Sequence, residues 1–556
     1  MKKIVSLALC VIMIMSIACL SVYAAPEGTA IKTAEEFAAM KADGTYYLDA
    51  DISITTTYVD AFTGTFDGNG HTVTVTVPMF AEFDGTVSNL TIDGTELRGD
   101  EDLAPFAVYT TGMQAFNVTN KVDVTVTGAN ADVTDGVNAG GLIAKAMYDV
   151  DSTCYLRNCK NYGKITVETA IAKPDKVETT GEMYETHAGG LVGLADGLNA
   201  KFCENYGDIT AVSINGQAGG IVGRAAGSAL MTYCNIEDCT VKANITGGLD
   251  AGGVAAYIGA GNNTIYEPYT VKYCTVIGNI SAGYRGGGFV GYGYASGKNL
   301  TYYMEITDSI FVGDVTVGRL AKTPEGKDLY SFGSLFIGYS NSVWNTIARC
   351  IGYGELKANV GEGFTNPFMC IMGCSNADTA NCPIENNFIC DNNTTVWYSY
   401  ATKDSNAAQR IEIATAISEG KVTRCTADEL KNGSIMTKLN TAAGEEVFIQ
   451  NAGTDAYPAV NPALIAKHAE QDSTPDTTPE ETTTPKPADT TPKDTTTAAP
   501  KDTTTEAPKD TTTAAPKDTT TAGGTTEKKG CGSVVALGIV AVLVPAAVVV
   551  IKKKEN

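Results

Sequence analysis

A chain of 556 residues with 58 Gly, 8% aromatic and 19% charged residues is too large and glycine-rich for a helical bundle, and at 44% hydrophobic too apolar for disorder throughout. Its formal net charge of -23 excludes a nucleic-acid binder, which needs clustered Lys and Arg on phosphates, and makes acidic substrates and anionic membrane surfaces poor partners. The three histidines, His71, His187 and His468, are too scattered to spell an H-E-x-x-H zinc site or any sequence-local pair.

Residues 1-24 read as a secretory signal: Lys2 and Lys3, an apolar run from Ile4 to Val22, then small residues, with cleavage expected after Ala24. A lipoprotein site at Cys19 is the rival, weakened by Ser16 where an apolar residue is usual. Residues 25-44 are expected to cover the amino-terminal end of the ectodomain, with Thr33-Ala34-Glu35-Glu36 as a capping box that opens a short helix through Met40.

From 45 to 400 the chain repeats itself. One motif is a double Gly followed by apolar residues: A-G-G-L-I-A from Ala139, A-G-G-L-V-G from Ala188, A-G-G-I-V-G from Ala218, A-G-G-V-A-A from Ala251 and G-G-G-F-V-G from Gly286. The other is C-x-N-Y-G-x-I at Cys159 and Cys203, relaxing at Cys239, Cys274, Ser309 and Cys350. The second motif recurs after 44, 36, 35, 35 and 41 residues, and the second Gly of the first after 49, 30, 33 and 35. Unequal steps over a constant motif mean variable loops on a fixed frame, and Ile165-Thr166-Val167 or Ile209-Thr210-Ala211 alternate as strands with one buried face. These features predict an all-β parallel β-helix in which Ile165, Ile209, Ile245, Ile280, Val315 and Leu356 stack as an internal ladder. A coil of three short strands needs roughly 20 residues, so each repeat is expected to supply two coils, with the Gly pair at a corner of close backbone approach or positive φ. Kelch blades would need near-equal units and leucine-rich repeats an L-x-x-L-x-L pattern, and neither fits.

Residues 401-466 read as a carboxy-terminal cap, built from Ala427 to Leu439 and the apolar run Val447-Phe448-Ile449. From 467 to 530 Thr, Pro, Lys and Asp take over, with P-K-D-T-T-T at Pro500, Pro508 and Pro516, a composition that forms no core and reads as an extended, disordered stalk. Residues 531-551 include the charge-free apolar run Ser533 to Ile551, read as one transmembrane helix, and Lys552, Lys553 and Lys554 place the tail at 552-556 in the cytoplasm. The expected location is the cell membrane of a Gram-positive-type bacterium, single-pass, with the ectodomain outside.

The A-G-G-L-V-G and A-G-G-I-V-G units resemble the GLUG motif of bacterial surface proteins, and C-x-N-Y-G-x-I is similar to the partner coil in those proteins. The opening, Y-Y-L-D-A-D-I-S-I from Tyr46 and G-T-F-D-G-N-G-H-T-V from Gly64, resembles a pectate-lyase-like right-handed β-helix, and T-A-D-E-L-K-N-G from Thr426 with G-T-D-A-Y-P from Gly453 resembles the closing segment of such ectodomains. The resemblance implies a right-handed parallel β-helix over roughly residues 30-463 and names no catalytic residues.

Chemistry is sparse. No N-T-D, G-H-G or R-I-K signature of pectin-cleaving hydrolases occurs, and no phosphate-binding loop. Asp67-Gly68-Asn69-Gly70-His71 reads as turn chemistry rather than an acid-base pair. Of the 15 Cys, 12 lie in the ectodomain; those recurring at one repeat position suit stacked buried thiols better than bridges. Cys370, Cys374, Cys382 and Cys390 lack zinc-ribbon spacing, so no metal, cofactor or catalytic residue is assigned. Tyr284, Tyr292, Tyr294, Tyr302 and Tyr303, and separately Trp397, Tyr398 and Tyr400, are candidate sugar-stacking surfaces. The expected role is adhesion or recognition of extracellular glycans or of host and matrix proteins, more a binder than an enzyme. The alternatives are a polysaccharide lyase or glycoside hydrolase on a β-helix, and a passive surface coat.

Overall fold

The computed structural model describes residues 26-127, 136-147, 153-168, 185-213, 215-227, 234-260, 269-295, 303-318, 331-341, 344-358, 368-369, 372-374, 384-390 and 422-473. The chain divides into a unit at 1-477 and another at 478-556, and the segments expected as signal, most of the stalk and membrane anchor lie outside the described residues.

The first unit is a parallel β-helix. Each repeat winds one full coil, and the same walls recur above each other in long parallel sheets. The anticipated ladder is present residue for residue: Ile165 pairs with Ile209, Ile209 with Ile245, Ile245 with Ile280, Ile280 with Val315, and Val315 with Leu356. These side chains are buried, and the alternate Thr and Ser positions are partly exposed.

The expectation of two coils per repeat is corrected. Because Ile165 lies directly against Ile209, one repeat is one coil. The coil from Cys154 holds five short strands, Cys154–Arg157, Lys160–Asn161, Ile165–Val167, Thr186–Gly189 and Val192–Ala195, so extra corners lengthen its perimeter. Coils of roughly 20 residues do occur, but at the amino-terminal end, where Phe66 sits on Tyr46 and Val87 on Phe66.

Three side-chain stacks tie coil to coil. Asn120 donates to Asn161 Oδ1 at 2.8 Å and Asn161 to Asn205 Oδ1 at 2.8 Å, while their carbonyl oxygens accept from Val122 and Gly163 N–H. This buried polar ladder is fully satisfied, as its position demands. The thiols of Cys159, Cys203, Cys239, Cys274 and Cys350 each donate to a carbonyl of the coil before, at 3.4–3.6 Å. Nine cysteines of this unit, Cys154, Cys159, Cys203, Cys234, Cys239, Cys274, Cys350, Cys390 and Cys425, are buried thiols. On the outer turn, Asn158 donates to Asn117 and Asn117 to Asn89, each residue holding a left-handed backbone at φ 49–58° that Asn tolerates.

The double glycines are required by proximity, not by positive φ. A Cβ on Gly220 would lie 2.0 Å from Gly253 O and 2.7 Å from a Val241 methyl, and one on Gly219 would lie 1.9 Å from Val222 O. Backbone sits where any side chain would be.

Helix α1 (Ala34–Ala38) opens on the Thr33–Glu36 capping box and lays Phe37 on the first coils, its ring centroid 5.4 Å from Phe80 and 6.0 Å from Phe66. At the other end, α2 (Ala427–Lys431), α3 (Ser434–Ala443) and an antiparallel pair, Phe448–Ile449 with Ala459–Val460, form a separate small core. That core packs on the outer flank, because Ile310, Ile351 and Phe388 replace the outward Thr240 and Thr275 of earlier coils. Helix α4 (Pro462–Ser473) continues past residue 466, where the sequence reading starts the stalk.

Gly220→Ala is expected to cost about 3 kcal/mol or more in denaturant unfolding, since backbone must move. Gly70→Ala, at φ +79° in open space, is expected to cost about 1 kcal/mol. A thiol reagent added to the folded protein at pH 8 is expected to leave these nine cysteines unlabelled and to reach them on unfolding, because burial pushes thiols such as Cys234 up, to about 12.

Candidate functional site

The residue before each A-G-G triplet, or before its counterparts Gly286-Gly287-Gly288 and Gly333-Ser334, leaves the coil on the side opposite the buried Ala or Gly. In register these positions are Asn138, His187, Gln217, Asp250, Arg285 and Phe332. After the glycine corner, the core residues Ala225 and Ile258 turn inward, so their neighbours point out. Those neighbours form a second column: Lys145, Leu194, Arg224, Tyr257, Tyr292 and Tyr339.

The two outward columns touch. The Arg285 guanidinium lies 3.4 Å from the Tyr292 ring centre, Phe332 and Tyr339 rings are 4.5 Å apart, and Arg224 pairs with Glu185. Side chains pointing out of two successive walls meet only across a re-entrant corner, so the glycine pairs fold the surface into a groove along the solenoid axis. Glycine is what lets the corner be that sharp.

Its floor is a hydrogen-bonded polar chain. Asp102 accepts from the backbone and side-chain amides of Asn138 at 2.8 and 2.9 Å, and Asn138 Oδ1 faces His187 Nδ1 at 2.7 Å. Further along, Asp250 accepts from Gln217 at 3.0 Å and from Arg285 Nε and Nη2 at 2.6 and 2.8 Å. Burial opposes the charge on Arg285, but Asp250 and Tyr292 outweigh it and hold the guanidinium above its ordinary range. With both oxygens bonded and no exposure, Asp250 fixes its neighbours and is not placed to take a substrate proton.

His187 is different. Burial drives its pKa down to about 4, so the imidazole is neutral. With Nδ1–H donated to Asn138, Nε2 carries a lone pair; that atom and Gln217 Oε1 are buried without a hydrogen-bond partner. Glu185 approaches the same Nε2 at 3.7 Å and also meets Arg224, whose guanidinium lies 4.4 Å from the centre of the Tyr257 ring.

Of the candidates taken from sequence, Tyr284, Tyr292 and Tyr294 belong to this groove or its rim. Tyr303 starts a strand of another wall, and Tyr302, Trp397, Tyr398 and Tyr400 lie outside the described residues. His71 is on an outer turn with Asp51 at 3.1 Å, while Asp67 accepts from Asn69, Ser88 and Asn89, which is turn chemistry. Cys370 and Cys382 also fall outside the described residues, and among those described no group of three or more His, Cys, Asp or Glu converges to hold a metal. The polar column itself was missed, although N-A-G-G, H-A-G-G, Q-A-G-G and D-A-G-G place it in plain view.

A second concavity, of about 550 Å³, lies between α4 and the outer flank, lined by Phe116, Phe202, Arg157 and Ile465 among others. Its polar groups are occupied by the docking itself: Arg157 donates to Ala469 O at 2.6 Å, Tyr155 to Asp472 at 3.0 Å, and His468 faces Asp238 at 3.1 Å. Burial lifts the Asp238 carboxyl to about 6, with His468 pulling it back.

His187 binds fewer protons when folded than its ordinary pKa allows, so its contribution to stability is full above pH 6.5 and is lost as pH falls toward 4. Thermal midpoints between pH 7 and 4 are expected to fall by the equivalent of roughly 3 kcal/mol from this group, and His187→Gln is expected to flatten that limb.

A family model for the GLUG motif matches residues 214-246, nearly one coil from the glycine corner to Ile245. No curated protein matches the chain. Among solved structures, a Bacteroides ovatus protein provisionally described as an immunoglobulin A1 protease is similar over 79% of this chain and 93% of its own, at 14% identity and a TM-score of 0.27, a likeness too slight to carry fold or activity across. What the sequence match and the geometry together establish is a chain that carries the GLUG motif in the coils of a parallel β-helix.

Proposed function

We propose that this is a bacterial cell-surface recognition protein that binds an extended glycan or a host protein along the groove between its two outward columns. The observation that carries the reading is the aromatic wall of Tyr257, Tyr292 and Tyr339, in register on successive coils and set beside Arg224 and Arg285. Aromatic faces with cationic neighbours give binding area at little entropic cost, and a groove repeated every coil suits a ligand that is itself a repeat. Export by the segment at 1-24, a right-handed winding, the Thr/Pro stalk and the span at 531-551 complete the proposed surface display.

A second reading, cleavage of a polysaccharide, draws on the carboxylate of Glu185 near the unpaired His187 nitrogen. It is the weaker one, because Asp250, the buried carboxylate of the groove, is saturated by Gln217 and Arg285.

Glycan and matrix-protein arrays probed with the full chain are expected to give a ligand whose affinity falls about tenfold or more in Tyr292→Ala. Binding to nothing overturns the reading in favour of a passive coat. Release of oligosaccharides, lost in Glu185→Gln, overturns it in favour of an enzyme.

A further inference from the structure

Two unpaired polar atoms lie on adjacent coils of the groove floor, His187 Nε2 and Gln217 Oε1, from residues that are direct register partners. Both are acceptors, and their polarity is set from behind. Asp102 takes the Asn138 amide, which turns Asn138 Oδ1 toward His187 and leaves the proton on Nδ1. Asp250 takes the Gln217 amide, which turns Oε1 away from it. A buried acceptor without a partner is costly, and two held side by side by carboxylate-anchored partners are built for something that donates.

The surroundings narrow the donor. Glu185 stands beside His187 as a further acceptor, and Arg224, on the coil of Gln217, is a cation paired to it. An ammonium group would meet the acceptors and be repelled by Arg224 and Arg285. A carboxylate set against these two atoms would bring acceptor oxygens to acceptors beside Glu185 and leave them unpaired. A hydroxyl both donates and accepts, so it satisfies His187 or Gln217 while receiving a bond from Arg224.

Resting on the groove as the recognition site, we infer that it takes a neutral sugar, with adjacent hydroxyls of one residue donating to His187 Nε2 and Gln217 Oε1. The tyrosine wall then stacks the neighbouring residues of the same glycan. Selectivity lies in the acceptor pair, and reach in the rings.

The test is calorimetric titration of the full chain with neutral glucan and galactan hexasaccharides and with oligogalacturonate of equal length. A neutral sugar is expected to bind at least about tenfold more tightly than the uronate, whose hydroxyls donate equally well but whose carboxylates meet Glu185 and a chain of net charge -23. Gln217→Met and His187→Phe, checked for unchanged thermal midpoint, are each expected to lose about tenfold for the neutral sugar. If either variant fails to fold, the neutral-to-uronate ratio of the unmutated chain still decides. Equal or tighter uronate binding overturns the inference and leaves groove recognition standing, provided Tyr292→Ala weakens it. Binding of a protein alone does the same. No ligand of any kind overturns both.

Discussion

Everything in this molecule depends on backbone stacked against backbone at the glycine corners. A carbonyl of each following coil occupies the space that a Cβ of the coil before it would need, at about 2 Å, in five consecutive repeats. That contact sets the bend between two walls and keeps the coils in register, so the aliphatic ladder inside and the polar column outside are two results of one constraint. Lengthening a loop between walls leaves the contact untouched. This is why repeat steps from 35 to 44 residues coexist with a ladder that never slips.

The interior and the groove use the same register for opposite ends. Inside, Asn120, Asn161 and Asn205 pass hydrogen bonds from coil to coil until Val241 ends the series, and nothing is left unpaired along it. In the groove the series is broken: the chain from Asp102 stops at His187, and the one from Asp250 stops at Gln217. Stability favours completing such networks, so an interruption at matching positions of neighbouring coils sets the groove apart from the stacks that hold the fold.

Much of this was legible because side-chain alternation and repeat spacing are local signals. The Ile165 to Leu356 column, the Thr33 capping box and the Cys stack all follow from residue type at a repeated position. Coil length was misjudged, since a glycine pair can mark either a corner within a coil or the end of one, and spacing alone does not tell which. The groove was missed for another reason. His187 and Arg224 are far apart as letters and neighbours only once the corner is folded, although the polar residue before each A-G-G was visible. The flank packing of Ile310, Ile351 and Phe388 likewise depends on a segment more than 35 residues downstream.

Helix α4 gives the first unit a mechanical property. It runs back along the flank toward earlier coils, with His468 on Asp238 and then Asp472 on Lys201 and Tyr155. A load applied at Ser473 and directed off the flank therefore meets these polar contacts one turn at a time, in peeling, before it reaches the ladders of the coils. The helix yields as a fuse, and the solenoid beneath it is spared until that fuse has opened.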